Sequence, residues 1–390
     1  MQSISSIGVR KRNTDAVYRF IYSQERVSVR DIMEGLDLSI PTVNQHLKQL
    51  QALRLVTSRG VMRSTGGRKA RAYSIDTGSW VTLGLDVTLR SVSLVAINLP
   101  GRTVHQRCKP LPFRNCSEYY REVGRFVAEE TRILGAHPQD VMGIGISLPA
   151  ILSGDGQFTV NAAPLGEMYI PLSAFAESLS APCSLHNDAN AGGYAAFFSM
   201  HTAQAYDKRH LAYLSVSDTV GGSIMIGGRM YPGMQQHSAE FGHMTLYPGG
   251  MPCYCGQRGC AYAYLNTARL SQAAGGGLEA FFRLLEQGDA GCMEKWEAYL
   301  DDLTLLVNNI RAALDCEVII GGYLGRFIGP HMQTVQAKLA ARNMFEKTGG
   351  YASACSQIEH ISAVGAAMIH QHTAVRQLIA RADCPENITG

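Results

Sequence analysis

One histidine and three cysteines form the pattern that most constrains how this chain can fold. His243 is separated by nine residues from Cys253, which is followed by Cys255 and Cys260, with two glycines between the last two cysteines. One imidazole and three thiolates make the tetrahedral ligand set that Zn²⁺ prefers, and the glycines let the loop fold back around the metal. Four protein ligands leave no open coordination position. The spacing therefore predicts a structural zinc site rather than a catalytic one.

Two other interpretations of these cysteines remain open. They are either unrelated buried thiols or a redox pair, although a redox pair is normally separated by two residues and these are separated by one and four. The sequence holds 10 cysteines in 390 residues and starts without an export signal, which favours reduced thiols or metal ligands over disulfides. No apolar run approaches the length of a membrane span, so we expect a cytoplasmic protein with no membrane partner.

Charge is unevenly distributed along the chain. Residues 1–76 contain 13 Lys and Arg against six Asp and Glu, a net charge of +7, and the overall charge of +3 leaves −4 for the rest. A length of 390 residues suits two or three compact units. We therefore expect a small basic domain at 1–76 that binds a polyanion, followed by a larger domain at 80–390.

The basic domain shows the pattern of a winged helix-turn-helix. Apolar residues at helical spacing predict a first helix over 13–23, and Ser28 caps a second helix over 29–36. After a short turn, Ser39 caps a third helix, in which an early proline is tolerated. Two short strands then flank a glycine-rich, arginine-bearing segment at 59–69, which predicts a wing.

The polar face of the third helix and the basic wing supply the candidates for DNA binding. A helix-turn-helix places its last helix in the major groove, and a wing adds contacts to phosphate or to the minor groove. The candidates are Ser39, Thr42, Asn44, Gln45 and Lys48 on the helix and Arg63, Arg68 and Lys69 on the wing. A three-helix bundle that binds protein partners is the alternative.

The larger domain alternates strands with helices. A strand hairpin at 83–97, an amphipathic segment at 116–134 and a buried strand at 141–147 are followed by strands at 211–215 and 318–320. This alternation predicts a layered α/β structure.

Several motifs of this domain occur in the order found in one known family. They are Asn187-Asp188-Ala189-Asn190, Val220-Gly221-Gly222, Glu240-Phe241-Gly242-His243 and the Cys-x-Cys-Gly-x-x-Gly-Cys loop at 253–260. With the basic domain included, nearly the whole chain resembles the ROK family of repressors and sugar kinases. The resemblance implies a kinase-like fold of the actin and hexokinase type, with two α/β lobes around a sugar cleft. The lobes are expected at about 80–195 plus the C-terminal helix, and at 196–370.

The resemblance also implies roles for residues of the cleft. In the family's enzymes, the aspartate of the Asn-Asp motif is the general base that takes a proton from the sugar hydroxyl, and Asp188 has that position. The implied ligand-binding set is Asn161, Asn187, Asp188, Glu240, His243 and Tyr262, with His243 serving both zinc and ligand. Tyr262 stands where the enzymes have a glutamate, and Ala150 where they have a glycine. A tyrosine can stack on a sugar face, but it lacks the paired acceptors of a carboxylate.

Two turns that hold nucleotide phosphates in the family's kinases differ in this chain. The first is Asp86-Val87-Thr88-Leu89-Arg90 instead of Asp-x-Gly-Gly-Thr, and its side chains would obstruct backbone approach to a phosphate. The second is Ser217-Asp218-Thr219 instead of Gly-Thr-Gly, which adds a negative charge. We therefore expect a protein that is not an enzyme, with no catalytic residue in use, in which the sugar site persists.

Together these features predict a sugar-responsive DNA-binding transcriptional repressor of carbohydrate-metabolism genes. The expected partners are a double-stranded DNA operator with an inverted repeat, a small sugar or sugar phosphate effector, and further copies of the chain in a homodimer or tetramer. The alternatives are a ROK sugar kinase that carries a DNA-binding head, a regulator whose ligand is a partner protein, and an activator instead of a repressor.

Overall fold

The computed structural model describes residues 6–61, 71–200, 208–343, 345–355 and 358–382. The described chain forms a small helical unit, here called the head, followed by a larger α/β unit with two sheets, here called the body. This is the architecture that the sequence predicts.

The head contains three helices and a two-stranded sheet. Its helices are α1 (Ser6–Tyr22), α2 (Val29–Leu36) and α3 (Ile40–Ala52), and β1 (Val56–Val61) pairs antiparallel with β2 (Arg71–Ile75). Helix α1 begins before the predicted residue 13, because that prediction relied on apolar spacing, which a basic run interrupts. The strands agree with the predicted wing, but Arg63, Arg68 and Lys69 lie outside the described residues.

Local side-chain hydrogen bonds set the starts of α2 and α3. Ser28 Oγ accepts the N–H of Asp31 at 3.2 Å, and Asp31 Oδ2 accepts the N–H of Ser28 at 2.7 Å, which completes a capping box. At the start of α3, Ser39 Oγ accepts the N–H of Thr42 at 3.4 Å. Both predicted caps are confirmed, so short-range chemistry determines where these two helices begin.

The first sheet of the body has the strand order β5-β4-β3-β6-β9. The strands are β3 (Val81–Val87), β4 (Ser91–Asn98), β5 (Thr103–Pro110), β6 (Val141–Leu148) and β9 (Cys183–Asn187). Strands β3, β4 and β5 are antiparallel neighbours, whereas β3, β6 and β9 run parallel. The carboxyl ends of the three parallel strands therefore meet at one edge of the sheet. A small ribbon of β7 (Ile151–Leu152) and β8 (Thr159–Asn161) follows β6.

The second sheet repeats this arrangement in the order β12-β11-β10-β13-β14. The strands are β10 (His210–Val216), β11 (Val220–Ile226), β12 (Arg229–Met230), β13 (Glu317–Gly321) and β14 (Ala352–Ala354). Again an antiparallel meander, β10 to β12, is followed by parallel pairing of β10 with β13 and of β13 with β14. The repeat gives the body two similar lobes, one built on each sheet.

Helices cover both sheets, and two of them separate the lobes. The helices of the body are α4 (Ser117–Leu134), α5 (Leu172–Ala176), α6 (Asp188–Met200), α7 (Ala261–Leu265), α8 (Ala268–Ala273), α9 (Leu278–Glu286), α10 (Ala290–Leu314), α11 (Gly325–Ile328), α12 (Met332–Arg342) and α13 (Ile361–Ala382). Helices α6 and α13 pack closely, because a Cβ at Gly365 would lie 1.7 Å from the carbonyl oxygen of Ala191. No described helix is both long and apolar enough to span a membrane.

The head packs directly on the body. Val17 and Ile21 of α1 lie in the same buried cluster as Leu99, Val375 and Ile379 of the body. Helix α13 therefore supports both the interface between the lobes and the head. The division into domains at 1–76 and 80–390 stays a prediction, because the buried core continues across it.

A second contact between head and body lies at the turn after α3. Arg54 has a φ of 59°, which non-glycine residues rarely adopt. Its Nη1 donates to Asp140 Oδ1 at 2.7 Å, and its Nη2 donates to the carbonyl of Ser79 at 3.2 Å. Trp80 Nε1 donates to the carbonyl of Leu53 at 3.1 Å. These bonds, together with the contacts of α1, hold the head at two places.

Candidate functional site

Helix α3 presents one buried face and one polar face. Val43 and Leu47 are buried, and the buried His46 Nδ1 is 3.0 Å from Oγ1 of Thr14 in α1. The predicted contact residues lie on the other side, where Ser39, Asn44, Gln45 and Lys48 are exposed and Thr42 is partly exposed. A recognition helix needs such a solvent-facing polar surface to enter a groove.

The carboxyl ends of the parallel strands of the first lobe bring polar side chains together. Asp86 of β3 is the register partner of Ser147 of β6, and Ser147 Oγ donates to Asp86 Oδ1 at 3.1 Å. Leu148 is in turn the partner of Asn187, the last residue of β9, and Asp188 begins α6. Clefts at the carboxyl ends of parallel strands are where α/β proteins bind ligands. Neither Asp86 nor Ser147 is among the ligand-binding residues that the sequence predicts.

The turn from β9 to α6 is fixed by its own side chains. Asn187 Nδ2 donates to the carbonyl of Ala150 at 3.0 Å, and Asn187 Oδ1 accepts the N–H of Asn190 at 2.8 Å. Asp188 Oδ1 accepts the N–H of Ala189 at 2.8 Å. Hydrogen bonds within the protein therefore orient two residues of the predicted ligand set.

Asn161 is joined to this region through the small ribbon. It ends β8 and is the register partner of Ile151, which directly follows Ala150. Its Oδ1 accepts the N–H of Ala163 at 2.9 Å, so the side-chain oxygen is turned towards its own backbone. The structure thus connects Asn161 to Asn187 by way of Ala150, but it shows no direct contact between the two asparagines.

Three carboxyl groups at the cleft influence each other. Burial raises the pKa of Asp86 to about 6, opposed by the hydrogen bond from Ser147. Burial first, and then the charges of Asp86 and Glu240, raise the pKa of Asp188 to about 7. Burial also raises the pKa of Glu240, against the opposing effect of two histidines. A carboxyl group with a pKa near neutrality can accept a proton from a bound hydroxyl.

The second lobe holds Glu240 and His243 against β11. Glu240 precedes the short turn Phe241–His243, which ends at His243, and a Cβ at Gly242 would lie 2.0 Å from the carbonyl oxygen of Val220. This close packing explains why a glycine stands between them. Glu240 and His243 therefore have fixed positions at the cleft side of the second sheet.

The four predicted metal ligands come together. Donor atoms of His243, Cys253, Cys255 and Cys260 all lie within 4.8 Å of one another. The Sγ atoms of Cys255 and Cys260 are 3.7 Å apart, as are Nδ1 of His243 and Sγ of Cys253. A tetrahedron with metal–sulfur bonds of about 2.3 Å has edges of about 3.8 Å. The residues present therefore fit a tetrahedral zinc ion.

Two tyrosines lie beside the predicted metal ligands. Tyr254 OH is 3.0 Å from Nε2 of His243, the ring nitrogen that does not face the cysteines. The rings of Tyr254 and Tyr262 meet edge to face, with centroids 4.7 Å apart. Tyr262 is one of the predicted ligand contacts, and this stays a prediction. Tyr254 lies between two of the predicted metal ligands and was not among the predicted residues.

The turn that joins β10 to β11 is tied to the following helices. Thr267 Oγ1 donates to Asp218 Oδ1 at 3.1 Å, and the N–H of Thr267 donates to the carbonyl of Ser217 at 2.9 Å. Ser217 Oγ also accepts the N–H of Tyr323 at 2.9 Å. The side chains of Ser217 and Asp218 therefore make hydrogen bonds within the protein.

Sequence comparison assigns the body to a family. Residues 82–373 match the sequence model of the ROK family. The chain belongs to the ROK family. In the head of this ROK protein, residues 23–58 match the model described as a bacterial regulatory protein of the arsR family.

Similar proteins include a regulator and a kinase. A putative xylose repressor from Caldicellulosiruptor sp. (strain Rt8B.4) is 28% identical over 265 residues, which span 67% of this chain and 65% of that protein. The N-acetylmannosamine kinase from Escherichia fergusonii is 28% identical over 267 residues, which span 66% of this chain and 88% of the kinase. The match to the repressor thus covers slightly less than two thirds of its length.

One solved structure matches both the head and the body. A ROK family transcriptional regulator, described as a homolog of the E. coli MLC protein, has a TM-score of 0.73 at 16% identity. The match covers 96% of this chain and 99% of that chain. It confirms the predicted fold, a winged helix-turn-helix followed by a two-lobed ROK domain.

Proposed function

We propose that this ROK protein is a sugar-responsive DNA-binding transcriptional repressor of carbohydrate-metabolism genes. The observation that most supports this function is the packing of a helix-turn-helix head, with the polar face of α3 in solvent, onto a ROK body. The similarity to a protein named as a putative xylose repressor favours the same function.

The head is proposed to bind a double-stranded operator in the cytoplasm. The polar residues of α3 contact base edges and phosphates in the major groove, and Arg63, Arg68 and Lys69 contact the backbone or the minor groove. In a homodimer, the two heads would each bind one half of an inverted repeat, and in a tetramer two pairs of heads would do so. In this proposal the head corresponds to 1–76 and the body to 80–390.

The effector is proposed to bind between the lobes. The residues that contact it are Asn161, Asn187, Asp188, Glu240, His243 and Tyr262. Asp188 begins α6, α6 packs on α13, and α13 packs on the head. A ligand that closes the cleft would therefore change the position of the head, and this is allostery if the two states bind the ligand with different affinity.

The metal site is proposed to hold one structural Zn²⁺. His243, Cys253, Cys255 and Cys260 would hold it, because their donor atoms all lie within 4.8 Å of one another and two of the separations are 3.7 Å. A bound Zn²⁺ supplies a fixed cross-link and no reactive position. The loop that it stabilises carries Tyr254 and connects to the turn with Glu240, so the metal supports the shape of the cleft.

A ROK sugar kinase with a DNA-binding head is the second candidate. The raised pKa of Asp188, about 7, suits a general base, and one relative is an N-acetylmannosamine kinase. Against a kinase stand the two altered turns at 86–90 and 217–219, in which Thr88 Oγ1 accepts the N–H of Ser91 and Ser217 Oγ accepts the N–H of Tyr323. A coupled assay of ATP consumption with a panel of sugars distinguishes the two. We expect no sugar-dependent consumption, and turnover above background would favour the kinase.

The decisive experiment for the repressor is DNA binding by fluorescence anisotropy. The full-length protein is titrated into DNA from the region upstream of its own gene, at stated salt concentrations, with and without simple sugars and sugar phosphates. Specific binding that changes with one sugar is the expected result. Specific binding that no sugar affects would favour a regulator controlled by a partner protein. No specific binding would refute the DNA-binding function.

A further inference from the structure

The start of α3 presents apolar side chains to solvent. Ile40, the first residue of the helix, is 52% exposed, and Pro41, which follows it, is exposed as well. The buried side of the helix is formed further along by residues such as Val43 and Leu47. The two apolar side chains at the start of α3 therefore lie outside the core of the head.

This apolar pair adjoins the exposed amides of α3. Residues four apart on a helix are neighbours on its surface, so Ile40 lies next to Asn44, and Pro41 lies next to Gln45. Both amide side chains are exposed, and neither forms a hydrogen bond with another residue that the structure describes. A recognition helix contacts base edges with its N-terminal residues. Ile40 and Pro41 therefore belong to the part of α3 that would lie against the bases.

The backbone at the start of α3 offers little to a phosphate group. Pro41 has no N–H, the N–H of Thr42 donates to Ser39 Oγ at 3.4 Å, and the N–H of Val43 donates to the carbonyl of Ser39 at 3.0 Å. A helix start binds phosphate through N–H groups that are available. Of the first four residues of α3, only Ile40 can offer such a group, so this helix start is poorly suited to hold the DNA backbone.

The hydroxyl groups that flank Ile40 and Pro41 in the sequence are bonded to each other. Ser39 Oγ lies 2.8 Å from Thr42 Oγ1, in addition to accepting the N–H of Thr42. Each hydroxyl has a single O–H donor, and one of the two donors is used within this pair. The start of α3 therefore presents mainly hydrocarbon to a ligand, with the amide of Asn44 one turn further along.

The chemistry of the major groove identifies what such a surface can contact. Thymine is the one base that carries an apolar group at this edge, its C5-methyl group, and apolar side chains pack against it. An asparagine forms two hydrogen bonds with N6 and N7 of adenine in the same groove. An apolar side chain and an available asparagine amide, one helical turn apart, therefore match neighbouring A·T base pairs.

We infer that Ile40, with Pro41 beside it, contacts the C5-methyl group of a thymine in each half of the operator, next to the base pair that Asn44 contacts. This inference rests on the proposed DNA binding and adds a base preference to it. A G·C pair at this position has no methyl group, and Ile40 would cover polar base edges that lose water without gaining a hydrogen bond. The head therefore prefers an A·T pair there.

Replacement of thymine by uracil tests the inference, because uracil pairs in the same way and lacks only the C5-methyl group. An operator duplex from the region upstream of the gene is made with each thymine of one half-site replaced in turn by deoxyuridine. Anisotropy then measures its binding to the full-length protein at one salt concentration. We expect one position at which uracil weakens binding about three- to fivefold, the effect of losing one buried methyl contact.

The other outcomes separate the inference from the proposed function. If the protein binds the uracil duplexes as tightly as the thymine duplex at every position, the inference is overturned, and the proposed DNA binding remains intact. If the thymine duplex itself is not bound specifically, the proposed DNA binding is refuted, and the inference with it.

Variants of Ile40 show whether this side chain makes the contact. Ile40→Ala should bind the thymine duplex less tightly than the unaltered protein does, and it should bind the thymine and uracil duplexes equally. Ile40→Val keeps a branched apolar side chain and should still prefer thymine. Ile133→Ala is the matched control, because Ile133 of α4 is 55% exposed, and it should prefer thymine as the unaltered protein does. An unaltered preference for thymine in Ile40→Ala overturns the inference.

Discussion

The ring of Tyr22, the last residue of α1, meets the ring of His372 in α13 edge to face, with centroids 5.7 Å apart. His372 Nδ1 in turn lies 2.6 Å from the hydroxyl of Tyr194 in α6, the helix that begins at Asp188. A continuous series of contacts therefore joins the proposed ligand cleft to the head. Burial lowers the pKa of His372 to about 4, so the imidazole is neutral near pH 7.

Removing the aromatic ring at this junction should weaken the coupling between sugar and DNA. In Tyr22→Ala, we expect the sugar to bind as before while its effect on DNA affinity falls by about two- to tenfold, because an aromatic pair contributes about 0.5–1.5 kcal/mol. Anisotropy with and without sugar measures the effect, and calorimetry measures sugar affinity. If the sugar changed the DNA affinity of Tyr22→Ala as much as that of the unaltered protein, the coupling would not depend on the contact between Tyr22 and His372.

The buried charge at Asp188 should cost stability above neutral pH. The pKa of Asp188 is raised to about 7 in the folded protein from an ordinary value of 3.8, so the folded state binds more protons between these values and loses stability as the pH rises. Asp188→Asn should therefore be more stable at pH 8, on the order of 1–3 kcal/mol, and equal to the unaltered protein near pH 3. Urea unfolding at both pH values measures this.

The matched control for this prediction is Asp155→Asn. Hydrogen bonding from Ser153 lowers the pKa of Asp155, so its charge is favoured in the folded state, in contrast to that of Asp188. No gain in stability is expected for Asp155→Asn at pH 8. A loss of stability in Asp188→Asn at pH 8 would contradict the proposed cost of burying the charge.

Binding of sugar should weaken in Asp188→Asn, because the carboxylate acceptor is lost.

Zinc should be lost when one of its ligands is replaced. We expect metal analysis to find one zinc per chain in the unaltered protein and none in Cys253→Ser, with a lower melting temperature, because the loop loses its cross-link. Cys108→Ser, at an exposed cysteine outside the cluster, is the control and should retain zinc. Zinc retained in full by Cys253→Ser would show that the metal is bound elsewhere.

The exposed side chains of α3 should differ in how they affect DNA binding. Lys48→Ala should weaken binding to specific and unrelated DNA alike and reduce the slope of affinity against salt by about one, because it removes one phosphate contact. Asn44→Ala should instead cost about 1–3 kcal/mol on the operator only, if it contacts a base. Lys347→Ala, an exposed lysine of the body, is the control. If Lys48→Ala and Lys347→Ala changed DNA affinity equally, Lys48 of α3 would not contact DNA.

The features that were predictable from the sequence depend on residues close together in the chain. The caps of Ser28 and Ser39 need only the next three residues, and the metal cluster lies within 243–260. Motif order was sufficient to indicate the family, which the match to residues 82–373 confirmed. The predicted start of α1 at residue 13 was wrong, because apolar spacing cannot indicate a helix whose first turns are basic.

Only the tertiary structure decided which distant residues meet. Asp86 and Ser147 become neighbours because β3 and β6 pair in one parallel register, Arg54 reaches Asp140 from the head, and Tyr22 meets His372 through the packing of α1 on α13. By itself the sequence determined the starts of α2 and α3 and the cluster of one histidine and three cysteines, since short-range hydrogen bonds and spacing specify them. It did not determine the acidic cleft or the contact between head and body, because strand register and the packing of whole helices depend on the entire fold.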